Sequence, residues 1–343
     1  MPFFGPRGGM VPVGRTTRHR NTTARVVVVA VMKVIGVTEF GGPDALAIHE
    51  VPEPHAGPGQ VRIKVRAVAV SPTDTLVRSG GNQQVVRAKQ PPYVPGMDAA
   101  GIIDEVGDGA GFELGDEVMA IALPAGEHGG AYASYLVADA DSVATTPAGA
   151  ELETASTIPM NGLTALQALR RLDLQPGQVL AVTGAAGTLG GYMVQLAKHA
   201  GLTVVADFAE KDRRIVEALD PDHMVPRGDS IARHIRRIYP DGVDGMLDGA
   251  VQNELGLPAV KDGGGFATVR YWEGHSERGI TIHRVSVGED YHADGKLERL
   301  RDLVEDGVLT PNVADILPAE RAEEAHTKLE GGGIRGRLVL TFD

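Results

Sequence analysis

A short glycine-rich run between a predicted strand and a predicted helix constrains the fold more than any other feature. Val179–Thr183 is a continuous apolar stretch typical of a buried parallel strand, and Leu189–His199 has the apolar spacing of a helix that ends at Gly201. The run Gly184-Ala185-Ala186-Gly187-Thr188-Leu189-Gly190 joins them. Small residues let the backbone approach phosphate groups, and a helix N-terminus offers free N–H groups with partial positive charge. The run predicts a dinucleotide-binding turn, with an ordinary tight turn as the alternative.

Strand and helix patterns alternate around this turn. A helix is predicted over Asn161–Leu172, and further apolar strands are predicted at Thr203–Ala206, Val243–Leu247, Phe266–Val269 and Ile280–Val285. Alternation of this kind indicates a parallel, doubly wound sheet with helices on both faces.

The chain before this region has a different pattern. From Lys33 to about Pro147, short runs with apolar residues at every second position, such as Val61–Val68, are separated by glycine and proline turns. This pattern predicts a small β-barrel. A last apolar strand, Arg337–Phe342, lies beyond the parallel sheet, and we expect it to return to the barrel.

Composition excludes several classes of function. The chain of 343 residues carries a formal net charge of −12 with both signs interspersed, which argues against nucleic-acid and anionic-membrane partners. It has no cysteine, so disulfides, thiolate metal ligands and a cysteine nucleophile are excluded. No apolar run approaches the ~18 residues that a membrane-spanning helix needs. We expect a soluble, cytoplasmic protein with a small-molecule substrate.

The first 31 residues differ in charge from the rest of the chain. They contain five arginines and no aspartate or glutamate. We predict that residues 1–31 form a disordered extension, with a transit-peptide-like targeting segment as the alternative. Met32 is the predicted start of the first domain.

Charged residues after the second predicted strand bear on cofactor choice. Asp207 follows that strand about twenty residues beyond the glycines, where an acid indicates a ribose 2′-hydroxyl partner. Lys211 and Arg227 are nearby cations that would suit a 2′-phosphate. The alternative for each of these residues is a solvated helix start.

Five motifs occur in one order along residues 32–343, namely Val37–Pro43, Ser71–Asp74, Pro95–Gly101, Ile158–Ala165 and the glycine turn. Together they resemble the medium-chain dehydrogenase/reductase superfamily, in its zinc-independent quinone oxidoreductase (zeta-crystallin-like) branch. The resemblance implies an α/β fold with two domains. These would be a GroES-like β-barrel catalytic domain over residues 32–155 and 300–343, and a Rossmann doubly wound parallel-sheet nucleotide-binding domain over residues 156–299.

The same resemblance bears on metal chemistry. Zinc-containing members bind the catalytic metal through a cysteine, a histidine and a second cysteine, and the corresponding positions here look like Ser71, Met97 and Met160. Serine supplies no thiolate and methionine is a poor zinc ligand, so we expect no metal. The resemblance then implies hydride transfer from NADPH, with NADH as the alternative, to a quinone or an α,β-unsaturated carbonyl.

Site residues follow from the resemblance by position. Asn161 and Thr164 are expected to hydrogen-bond the nicotinamide carboxamide or ribose, and Ser71 is expected to donate to the acceptor oxygen as charge develops on it. These three are the predicted catalytic residues. The predicted cofactor-binding residues are Asn161, Thr164, Ala185, Ala186, Gly187, Thr188, Leu189, Gly190, Asp207, Lys211, Arg227, Ala250 and Arg270.

Two other functions stay open, a dedicated biosynthetic enoyl reductase and a non-catalytic NADPH-binding protein of the same fold. The resemblance also implies a homodimer, joined through an edge strand such as Ile280–Val285. His128 and Tyr132 could donate protons, but we favour structural roles for both and for His326.

Overall fold

A computed structural model of the chain describes residues 30–81, 90–127, 129–270, 272–275, 278–292 and 295–343. The predicted extension lies outside these residues except for Ala30 and Val31. Val31 opens the first strand, β1 (Val31–Gly36), which pairs antiparallel with β2 (Ala47–Pro52). The boundary predicted after residue 31 stays a prediction.

Seven strands of the described chain form one sheet. Its long central strand, β3, alternates buried and half-buried residues from Val61 to Val65, so one face packs into the core while the other meets the surface. Pairing along the sheet is antiparallel except between the last two strands. The members are β3 (Gln60–Val70), β4 (Asp98–Val106), β5 (Glu117–Ile121), β6 (Tyr135–Asp139), β7 (Val143–Thr145), β14 (Val313–Pro318) and β15 (Arg337–Thr341).

The second sheet is parallel throughout its six described strands. Their spatial order is β10-β9-β8-β11-β12-β13, so the order reverses between β8 and β11. Ligands bind at such a reversal, outside the carboxyl ends of the strands. The members are β8 (Val179–Thr183), β9 (Thr203–Phe208), β10 (His223–Pro226), β11 (Val243–Asp248), β12 (Val260–Thr268) and β13 (Thr281–Arg284).

Helices connect the strands and cover the parallel sheet. The α-helices are α1 (Pro72–Ser79), α2 (Leu152–Ala155), α3 (Pro159–Leu172), α4 (Thr188–His199), α5 (Arg213–Glu217), α6 (Ile231–Ile238), α7 (Lys296–Glu305) and α8 (Ala322–Gly331). Short 3₁₀ turns lie at Pro43–Ala45, Ala140–Ser142, Glu210–Asp212, Asn253–Leu255, Leu257–Ala259, Val287–Asp290 and Ala319–Arg321. Every helix among the described residues is too short or too polar to span a lipid bilayer.

The two sheets share a buried apolar cluster. Met97 and Met119 of the first sheet region pack in it with Met160 of α3, Tyr192 of α4 and Leu300 of α7. Apolar burial of this kind fixes the first sheet against the helices that flank the parallel sheet. The predicted α/β architecture, with a barrel-type sheet beside a doubly wound sheet, is confirmed. The predicted domain boundaries stay predictions.

Candidate functional site

The glycine turn lies between β8 and α4, at the order reversal of the parallel sheet. Gly184 has φ +72°, a conformation that glycine adopts without strain, and the Gly187 N–H donates to the Gly184 carbonyl at 2.9 Å. A Cβ on Gly190 would lie 2.2 Å from the Gly184 oxygen, so only glycine allows the first turn of α4 to pack this closely. The N-terminus of α4 therefore lies at the carboxyl end of β8, where a pyrophosphate site requires it.

Asp207 lies beneath this turn. Its side chain is 4% exposed, and its carboxylate accepts the Ala185 N–H at 3.0 Å. Burial raises the pKa of Asp207, while the hydrogen bond from Ala185 and the charge of Arg227 oppose that rise. The carboxylate predicted to meet a ribose hydroxyl is thus engaged in holding the turn.

The loop after β11 is fixed against the same turn. The Thr183 hydroxyl donates to Asp248 at 2.7 Å and lies 3.2 Å from the Ala250 N–H, which donates to it. Asp248 also accepts the N–H groups of Gln252 and Asn253, at 2.9 and 2.7 Å. Predicted residue Ala250 is therefore held beside the glycine turn.

Gln252 and Asn253 are site candidates that the sequence reasoning missed. Asn253 has φ +50° and Val251, just before Gln252, has φ +57°, conformations that are uncommon outside glycine and that concentrate at functional loops. The Gln252 Oε1 and Asn253 Oδ1 atoms are buried without a hydrogen-bond partner. The only signal in the sequence is an amide pair shortly after a strand.

Two predicted cations lie exposed, Lys211 after β9 and Arg227 directly after β10. Lys211 and Arg227 form no ion pair within the described part of the chain. Between them, buried Asp212 accepts Arg335 Nε at 2.8 Å, and the Arg335 guanidinium holds the pKa of Asp212 below its ordinary value. Arg335, which sequence reasoning missed, follows α8, far along the chain from the cations. The local charge at this corner is positive.

The predicted catalytic residues lie on two elements. Ser71 caps α1; it is fully buried and its Oγ has no hydrogen-bond partner. Asn161 is half-buried on α3, and Thr164 one turn later donates its hydroxyl to the Met160 carbonyl at 2.6 Å. The Thr164 oxygen can then only accept a further hydrogen bond. Arg270 is exposed just beyond β12.

The side chains at the metal-ligand positions do not fit zinc. Met97 and Met160 are 6% and 8% exposed and pack together in the apolar cluster between the sheets. Ser71 offers one neutral hydroxyl. Thioethers and a neutral hydroxyl form no competent tetrahedral set for zinc. His128 lies outside the described residues.

Two family models match separate parts of the chain. Residues 57–148 match the family model described as "Alcohol dehydrogenase GroES-like domain", and residues 219–340 match the one described as "Zinc-binding dehydrogenase". The quinone oxidoreductase of Sus scrofa is 27% identical over 332 residues, covering 90% of this chain and 97% of the relative. This chain belongs to the medium-chain dehydrogenase/reductase superfamily. Within that superfamily of nicotinamide-dependent oxidoreductases, it lies in the quinone oxidoreductase branch.

Two further relatives of this superfamily member span almost its whole fold. The 2-haloacrylate reductase of Burkholderia sp is 28% identical, covering 88% of this chain and 96% of the relative. The solved structure of the quinone oxidoreductase from Coxiella burnetii superposes with a TM-score of 0.81 at 26% identity, covering 92% of this chain and all of that one. The fold is therefore that of a dehydrogenase that binds a nicotinamide dinucleotide.

Proposed function

We propose that this superfamily member is a zinc-independent oxidoreductase that transfers hydride from NADPH to a quinone or an α,β-unsaturated carbonyl. One observation carries the proposal. A glycine turn that suits a pyrophosphate lies in the same fold as the proposed nicotinamide position at Asn161, and Met97 and Met160 occupy two positions where zinc-containing relatives carry metal ligands.

The charges that follow β9 and β10 support NADPH over NADH. Lys211 and Arg227 are exposed and form no direct ion pair within the described residues, so both are free to contact a 2′-phosphate. Asp207, the residue that would favour a free ribose hydroxyl, is buried and engaged by the Ala185 N–H. Glu210 is paired with Arg213 at 2.9 Å, so its repulsion of a phosphate is reduced.

The acceptor class is supported by the chemistry of the site and by the relatives. Bound NADPH supplies the hydride. Ser71 offers an unpartnered hydroxyl for the acceptor oxygen on which negative charge develops, a role that requires this fully buried residue to become accessible to the acceptor. Asn161 and Thr164 orient the nicotinamide. The relatives named as a quinone oxidoreductase and a 2-haloacrylate reductase support conjugated acceptors.

The proposal is tested by following the absorbance of NADPH and NADH with a panel of quinones and enones. We expect oxidation of NADPH by at least one acceptor class and weaker activity with NADH. Binding of NADPH without its oxidation by any acceptor contradicts the proposal and favours a non-catalytic binding protein. Activity confined to a single enone favours a dedicated enoyl reductase.

Charge removal tests the cofactor preference. Lys211→Gln and Arg227→Gln should each remove a charge-assisted contact of about 1.5–3 kcal/mol, which raises the KM for NADPH roughly 10- to 100-fold and leaves the KM for NADH unchanged. Arg299→Gln is the matched control, since Arg299 is an exposed cation on α7. Equal losses with both cofactors would refute the assignment.

We further propose that two copies pair through β13, the outer strand of the parallel sheet. An open strand edge presents unpaired N–H and C=O groups that a symmetric partner satisfies. Sedimentation should show a dimer, and Ile282→Pro should shift it to a monomer. A monomeric wild-type protein would refute this pairing.

A further inference from the structure

A buried charge pair lies within the first sheet, next to the start of α3. Arg337 opens β15 and Asp98 opens β4, and their side chains are 5% and 0% exposed. Arg337 Nη2 donates to Asp98 Oδ2 at 2.8 Å. These residues are 239 positions apart in the chain, so the pair joins its C-terminal strand to an early strand.

Each member of the pair also contacts backbone beside a predicted site residue. Arg337 Nε donates to the carbonyl of Val70, the residue before Ser71, at 3.2 Å. Asp98 Oδ1 accepts the N–H of Met160, the residue before Asn161, at 2.6 Å. One ion pair thus connects the start of α1 with the start of α3.

Stability alone explains this arrangement poorly. A fully buried ion pair loses its hydration, and well-packed apolar residues of similar volume often serve stability equally well or better. Burial also raises the pKa of Asp98, which Arg337 opposes. What apolar replacements could not supply is the directional hydrogen bonding to the Val70 carbonyl and the Met160 N–H.

We propose that Asp98 and Arg337 are positioning residues for hydride transfer. They set the backbone of Ser71 relative to that of Asn161, and so the acceptor oxygen relative to the nicotinamide. The inference rests on the proposed function. Displacements of about 1 Å between reacting groups slow a reaction about 100-fold. Neither residue touches the reactants.

The test compares Arg337→Met, Arg337→Lys and the double variant Asp98→Asn/Arg337→Met. The double variant leaves no unpaired buried charge, so the inference can be tested on it if the single variant fails to fold. Arg62→Met is the matched control, because Arg62 is a barrel arginine that pairs with Asp104 at 2.9 Å. Three quantities are measured: kcat, the isotope effect with NADPH deuterated at the transferred position, and the fluorescence lifetime of bound NADPH.

For Arg337→Met and the double variant we expect kcat to fall about 100-fold, the isotope effect to rise and the lifetime of bound NADPH to shorten, because the nicotinamide is less restrained. Arg337→Lys should recover part of all three, since lysine keeps the positive charge and one donor nitrogen. Arg62→Met should reduce the folded fraction and leave the isotope effect and the lifetime unchanged.

A fall in kcat that matches the folded fraction, with isotope effect and lifetime unchanged, would overturn the inference. An inactive wild-type enzyme would instead overturn the proposed function, while the lifetime still tests positioning.

Discussion

The buried histidine of α8 gives the most sharply defined prediction, which concerns stability and pH. His326 is fully buried, and its Nε2 lies 3.1 Å from the Tyr132 hydroxyl, which in turn donates to Asp74 at 3.3 Å. Burial, with a smaller contribution from the charge of Arg78, lowers the pKa of His326 to about 3. The folded protein therefore keeps this imidazole neutral where the unfolded chain protonates it.

The low pKa of His326 determines how the stability of the protein changes with pH. Below pH 6.5 the unfolded chain binds a proton that the folded protein does not, so stability is lost as the pH falls from 6.5 towards 3. Each pH unit in that window corresponds to about 1.4 kcal/mol, so His326 removes about 2 kcal/mol between pH 7 and pH 5.

Asp74 acts in the opposite direction. Burial raises its pKa to about 6 despite hydrogen bonds from Ser71 and Gly96 and the charge of Arg337; nearby Asp98 adds to the rise. The folded protein then binds a proton below about pH 6 that the unfolded chain binds only below 3.8, so stability is gained as the pH falls between these values. This gain is about 1 kcal/mol between pH 7 and pH 5.

Urea denaturation followed by circular dichroism at pH 7, 6 and 5 separates the two groups. Between pH 7 and pH 5, His326→Gln should lose about 2 kcal/mol less than the wild type does, and Asp74→Asn should lose about 1 kcal/mol more than the wild type does. Each substitution also has a cost that does not depend on pH, so only the change with pH is compared. A His326→Gln variant that follows the wild-type slope would refute the assignment of a neutral buried imidazole.

Two other predictions concern the cofactor turn and metal. Gly190→Ala places a Cβ against a backbone oxygen and should weaken NADPH binding at least about 10-fold, measured by fluorescence titration. In the control Gly191→Ala, the nearest atom to the new Cβ would be 3.6 Å away, so this variant should bind NADPH as the wild type does. Equal affinities of the two variants would contradict the packing argument. Dialysis against a strong chelator should leave turnover unchanged, because Met97 and Met160 are poor zinc ligands; loss of activity that added zinc restores would count against the proposal.

Much of the parallel sheet was predictable because its strands are buried on both faces and appear as continuous apolar runs. β8 has the predicted bounds, and α3 begins two residues before its prediction. β12 begins at Val260 rather than Phe266, because the Gly263–Gly265 run resembles a turn. A Cβ on Gly264 would lie 2.7 Å from the Asp244 carbonyl, so close strand packing uses that glycine.

The sequence allowed candidate site residues to be identified, but it did not show which groups they contact. Asp207 was identified as a charged residue near the cofactor, yet no local pattern shows that its carboxylate is buried under the turn. Arg335 and Arg337 meet partners more than a hundred residues away. Spacing rules describe neighbours along one helix or strand, so contacts between distant segments stay hidden until the fold is known.

The place of β15 has a consequence for protein synthesis. Its pairing with β3 joins residues at least 268 positions apart, so β3 emerges from the ribosome long before β15 exists. During that interval Asp98 has no guanidinium partner, which disfavours burial of its carboxylate. The parallel sheet, whose strands all lie between residues 179 and 284, can assemble first, and the first sheet is completed only when the final strand is released.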